Sequence, residues 1–193
     1  MFQPRAKLEF VRRYCPPKEG WHVCVDIDGS EKGTAGKRTK ERSQKRGLEM
    51  RSDWSEVEKK MRQLKVQIGN YPRWCNELNV RAFGHRPDIA AYHNDYGCLI
   101  AEVEAESTGQ PEDKVYKAVG QIILAASLPI DKRWKPHFLV AVHGPKMVSV
   151  LRRMTKLTKV PIFGLSIATD KTEDQIVIRP TSASVPRSLA ALF

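Results

Sequence analysis

The reading turns on Arg86-Pro87-Asp88-Ile89-Ala90-Ala91-Tyr92, then His93-Asn94-Asp95-Tyr96-Gly97, then Cys98-Leu99-Ile100-Ala101-Glu102-Val103-Glu104-Ala105-Glu106. The outer segments have strand composition and the middle one is a polar turn ending in glycine, so His85–Tyr92 and Cys98–Glu106 are expected to pair as a hairpin. Side chains alternate faces along a strand. Glu102 and Glu104 therefore share one face, while Ala101, Val103 and Ala105 take the other. Glutamates inside an apolar strand are costly unless paired or bound to a cation. Hairpin pairing brings Asp88 alongside them. Three carboxylates on one face should repel one another and raise one another's pKa values. A hard divalent cation, Mg2+ or Mn2+, would remove that repulsion with only two or three carboxylate ligands.

Working outward, the pattern alternates between strand and helix. Downstream, Pro111 suits a helical first position, and Val115, Val119, Ile122, Ile123 and Ala126 carry helix periodicity to Ser127. His137–His143 reads as a buried strand, 145–158 as a basic helix, and Pro161–Ala168 and Gln175–Arg179 as further strands. Upstream, Asp53 with Glu56 three positions on makes a capping box. Trp54, Val57, Met61, Leu64 and Ile68 then form one apolar stripe, closed by Gly69-Asn70-Tyr71-Pro72, and a short helix is expected over 73–81. Residues 21–28 read as a strand. The fold class expected is α/β, a mixed sheet flanked by helices. Its parts are residues 1–50 (a strand and a basic flexible segment), 51–180 (the α/β domain) and 181–193 (a Ser/Ala-rich tail).

The spacing of Pro87-Asp88 and Glu102-Val103-Glu104, with the order of elements that follows, resembles the PD-(D/E)xK nuclease superfamily over about half the chain. The resemblance implies a restriction-endonuclease-like fold and metal-dependent hydrolysis of phosphodiester bonds in DNA or RNA. Asp88, Glu102 and Glu104 would be the metal ligands, with Glu104 a third ligand or general base. Glu104 stands where the family usually has lysine. Some members carry glutamate there, and in others the next helix supplies the lysine. Lys114, Lys117 and Gln121 share a polar face of that helix, so Lys117 is the candidate catalytic lysine, with Lys114 and Gln121 auxiliary. Glu77 on the preceding helix is an auxiliary candidate ligand, whereas His85 and Glu106 read as structural and solvated.

Charge points the same way. The 193 residues carry a net charge of +11 with a pI near 9.6. A surplus of this size suits a polyanionic partner, nucleic acid before membrane. Between Lys32 and Arg46, seven lysines and arginines face Glu41 alone. Residues 29–47 contain four glycines and almost nothing apolar, so a mobile loop is expected, with Lys37, Arg38, Lys40, Arg42, Lys45 and Arg46 as phosphate contacts. A nuclear-import signal is the other use of such a run. No apolar run of about 18 residues exists, and the first residues lack a signal-peptide core. Cys15, Cys24, Cys75 and Cys98 form no CxxC pair and read as reduced thiols, with Cys98 in the core. An intracellular protein, cytoplasmic or nuclear, is expected, and homodimerisation is left open.

Two other functions fit parts of the sequence. The same fold with an incomplete site would be a nucleic-acid-binding or scaffold module without catalysis. Val25-Asp26-Ile27-Asp28-Gly29-Ser30 is similar to the D-x-D-G-T signature of haloacid-dehalogenase-type phosphatases, although no acidic second motif follows.

Overall fold

The computed structural model describes residues 1–34, 41–79, 86–105, 110–127, 136–155 and 162–166. Helix α1 (Gln3–Tyr14) precedes strand β1 (His22–Val25), helix α2 (Glu41–Gln63), strand β2 (Gln67–Ile68) and helix α3 (Tyr71–Glu77). The hairpin β3 (Ile89–His93) and β4 (Gly97–Glu104) follows, then α4 (Pro111–Ser127), β5 (Pro136–Val142), α5 (Pro145–Thr155) and β6 (Ile162–Ser166). The six strands form one mixed sheet in the order β2-β1-β3-β4-β5-β6. β3 is antiparallel to both β1 and β4, while β4, β5 and β6 run parallel through the crossover helices α4 and α5. The expected class, α/β with a mixed sheet flanked by helices, is the class observed.

Strand alternation sorts the core into two layers. Val23, Val25, Ile89, Ala91, Leu99, Ala101, Val103, Leu139 and Ala141 pack with α1 and α2. Cys24, Ala90, Cys98, Ile100, Phe138, Val140 and Val142 pack with α3, α4 and α5. All four cysteines are free and buried. Among the described residues no helix is long and apolar enough to cross a membrane.

Three expectations are corrected. Residues 41–47 are the first two turns of α2, not a mobile loop; Lys45, Arg46, Leu48, Glu49, Met50 and Arg51 all propagate a helix well. The preceding turn lies directly on this helix. At Gly33, whose φ is +73°, an added Cβ would come within 2.8 Å of the Gly47 carbonyl oxygen.

Asp53 is therefore not a cap, because α2 runs through it. Its carboxylate accepts from Arg5 Nε at 2.6 Å, and Glu56 takes Arg5 Nη2 at 2.8 Å. The residues that imitate a capping box instead tie α1 to α2. Ile68, the last member of the expected stripe, belongs to β2 because α2 ends at Gln63. Since α2 crosses residue 50 and β1 sits inside the sheet, α1, β1 and α2 contribute to the same core as the hairpin. The 73–81 helix is observed as α3, over Tyr71–Glu77. The strand expected at 175–179 and the tail 181–193 lie outside the described residues.

Candidate functional site

Strand β4 is buried along its whole length between β3 and β5. Glu102 and Glu104 pair with Val140 and Val142, whose side chains belong to the α4 layer. The glutamates keep only 4% and 7% of their surface exposed. Asp88 immediately precedes β3, and the register Ile89 to Ala101 sets it beside Glu102. Its Oδ2 accepts the backbone N–H of Val103 at 2.9 Å. That carboxylate continues the ladder where β3 has ended, and satisfies a donor that burial would otherwise strand. Asp88 is thus anchored to the residue between the two glutamates.

The carboxylates do not simply face one another. Lys114, in the first turn of α4, donates to Glu104 Oε2 at 3.0 Å. From the opposite layer, the fully buried Lys7 of α1 donates to Asp88 Oδ1 and to the carbonyl of Asp26, each at 2.7 Å. The Lys7 ammonium also lies 2.7 Å from Glu31 Oε1. Two lysines therefore balance much of the charge that the sequence assigned to a cation.

The titration behaviour follows from this arrangement. Burial raises Glu104 above the usual carboxylate range; Lys114 opposes the rise, Asp88 adds to it, and Lys117 opposes it. Lys117 is thus close enough for its charge to act on Glu104, although Lys114 makes the contact. Burial would lower Lys7, but the charges of Asp88 and then Glu31 override it and hold the ammonium above its ordinary range. Burial pushes Glu31 up to about 7 against the pull of Lys7, and the charge of Asp88 adds to the rise.

The other expected residues are placed as follows. Lys117 is exposed and Gln121 half-buried on α4. Glu77 ends α3, exposed, with its carboxylate 2.7 Å from Arg73. His85, Glu106, Lys37, Arg38 and Lys40 lie outside the described residues, as does the side chain of Arg42. Lys45 is exposed, whereas Arg46 lies over the Phe2 ring at 5.7 Å. In the stretch read as a phosphatase signature, Asp26 is ion-paired with Arg86. Asp28 Oδ1 accepts from Ser30 Oγ at 2.6 Å and from the Glu31 N–H at 2.8 Å. Both aspartates are therefore engaged by neighbouring groups of the protein.

Sequence reasoning missed Lys7 and Glu31. The run Pro4, Leu8, Val11 with Phe10 and Tyr14 is a helical signal that would have found α1. Nothing local marks Lys7 as buried, because its partners come from two distant turns.

Hard carboxylate oxygens from Asp88, Glu102 and Glu104 are the donor type that Mg2+ or Mn2+ takes. Among the described residues, however, no three His, Cys, Asp or Glu side chains are grouped as a metal centre would require. The donor chemistry fits such a cation, and Asp88 with Glu102 would hold it, provided that Lys114 releases Glu104 if a third ligand is needed. Comparison of the chain with protein-family models, curated proteins and solved structures finds no match.

Proposed function

We propose that the chain is a metal-dependent nuclease of the PD-(D/E)xK, restriction-endonuclease-like kind, hydrolysing phosphodiester bonds of DNA or RNA. The reading rests above all on one observation: Asp88 is hydrogen-bonded to Val103, between Glu102 and Glu104 on a buried strand. The net charge of +11 supports a polyanionic substrate. Mg2+ or Mn2+, when bound, would activate water and stabilise the leaving oxygen. Asp88 and Glu102 hold the cation in this reading. Glu104, raised above the usual carboxylate range by burial, serves in this reading as a third ligand or as the general base. Lys114 and Lys117 balance the negative charge gathered on that face. Gln121 is on the same helix, one turn beyond Lys117.

The test is a panel of labelled DNA and RNA incubated with Mg2+ or Mn2+, using the full chain and Glu102→Gln. Cleavage by the parent protein is expected to fall at least about a hundredfold in the variant, with its unfolding curve unchanged within about 1 kcal/mol. Undiminished cleavage by Glu102→Gln would remove Glu102 from the site.

A binding module without catalysis is the second reading, favoured by the Lys114–Glu104 ion pair and the absence of a converged metal group among the described residues. Titration with MnCl2 separates the two, since only the nuclease should take up the cation in a Glu102-dependent way.

A further inference from the structure

Lys7 is the one fully buried charged side chain among the described residues, and the proposed reaction does not use it. A buried ammonium persists in a fold only where its charge and its donors are met. Lys7 donates hydrogen bonds to Asp26 O and Asp88 Oδ1 and is ion-paired with Glu31 Oε1, each at 2.7 Å. Glu31 is itself fixed, with Oε2 accepting the Asp28 N–H at 2.8 Å. Asp88 is gripped at both ends, by Lys7 at Oδ1 and by Val103 at Oδ2.

We propose that Lys7 is a positioning residue of the acidic site and its resident cation: it fixes the orientation of Asp88 and lowers the affinity of the site for a divalent cation. This inference rests on the metal-dependent reading above. The ammonium shares the carboxylate that a divalent cation would use, and at that range like charges repel. Glu31, one contact farther out, offsets part of the repulsion. The two residues therefore act on cation binding with opposite signs, although both are buried and both support the fold. A role in folding alone would not produce opposite signs.

The experiment is calorimetric titration of the full chain with MnCl2, at about pH 8 so that Glu31 is ionised, and at a temperature where each variant is folded. Lys7→Met is expected to bind Mn2+ about tenfold more tightly and Glu31→Gln about tenfold more weakly. Lys7→Arg, which keeps the charge, should stay within about threefold of the parent protein. In cleavage assays Lys7→Met should lose kcat despite its tighter binding, because Asp88 is no longer oriented. Should Lys7→Met not fold, the double variant Lys7→Met/Glu31→Gln removes one charge of each sign, and its affinity should return from the Glu31→Gln value towards that of the parent. Affinities that shift in the same direction for the two residues, that do not shift at all, or that are weaker still in the double variant would overturn this inference alone. A parent protein that binds no Mn2+ would overturn the metal-dependent reading and this inference with it.

Discussion

Helix α1 and helix α4 each bring a lysine to the same end of the β3–β4 hairpin, from opposite faces of the sheet, and the two lysines are held very differently. Lys7 is fully buried, with acceptors drawn from two segments distant in sequence. Lys114 retains 21% of its side-chain surface and contacts Glu104, ten residues away. Both neutralise a carboxylate, but the physics differs. A buried ammonium that loses its partners, or leaves them, strands uncompensated charge. A lysine at the solvent boundary can swing into water at little cost, and the buried Glu104 can then take a proton rather than stay charged. One face of the sheet carries a fixed counter-charge and the other a releasable one.

The sharpest way to break that comparison is to remove each ammonium. Lys7→Met should destabilise the protein by about 3–5 kcal/mol, the usual cost of breaking a buried pair. Lys114→Met should cost about 1 kcal/mol or less. Denaturant unfolding of both variants measures this, and equal losses would show that the two lysines are equivalent. Asp88→Asn belongs with the first group, because Lys7 would lose one of the two carboxylates that balance its charge. The repulsion between carboxylates expected from the sequence alone would instead have made removal of Asp88 neutral or stabilising.

The contact with Lys7 that separates these two expectations is where the sequence stops being informative. The hairpin, the α4 helix from Pro111 to Ser127 and the two faces of β4 were legible, because each follows from local periodicity. So was the proximity of Asp88 to Glu102, which follows from hairpin pairing. The start of α2 was not, because Asp53 and Glu56 answer to Arg5 across a helix interface while imitating a local cap. Lys7 was invisible for the same reason at greater range: its partner Asp88 is 81 residues away. Lys114, read from the sequence as auxiliary, makes the contact with Glu104, and a shared helix face does not say which of its lysines reaches a given carboxylate.

A smaller effect sharpens the comparison through pH. Glu31 faces Lys7 and senses Asp88, and burial holds it at about 7 against an ordinary value of 4.5. Between those values the folded protein binds more protons than the unfolded chain, so this group stabilises most at low pH. Its contribution is complete below about 4.5 and is lost as pH rises through about 7. The raised Lys7 does not titrate in this window. Glu31→Gln should therefore flatten the decline in stability between about pH 5 and 8, by roughly 1–3 kcal/mol. Glu104, also raised by burial, supplies a residual slope of the same sign that the variant keeps. Parallel stability–pH curves for the two proteins would mean that Glu31 is ionised throughout, and that Lys7 holds two full negative charges rather than one.

The smallest expected effect carries the distinction between engaged and free cations to the basic segment. Lys45 and Arg46 are neighbours on the first turns of α2, but Lys45 is exposed while Arg46 lies over the Phe2 ring. An exposed lysine can neutralise a phosphate without giving up an existing contact, whereas Arg46 must first surrender a cation–π contact of about 0.5–1 kcal/mol. If duplex DNA binds here, Lys45→Gln should reduce the log–log salt slope of binding by about 0.9, the share of one released counterion. Arg46→Gln should change that slope less and instead lower stability by about 0.5 kcal/mol, through loss of the Phe2 contact. Binding isotherms across a salt series, with unfolding curves for the same proteins, measure both. Equal slope changes with no loss of stability would show that Arg46 is as available to phosphate as Lys45, and the engaged and free cations would then be indistinguishable at the surface.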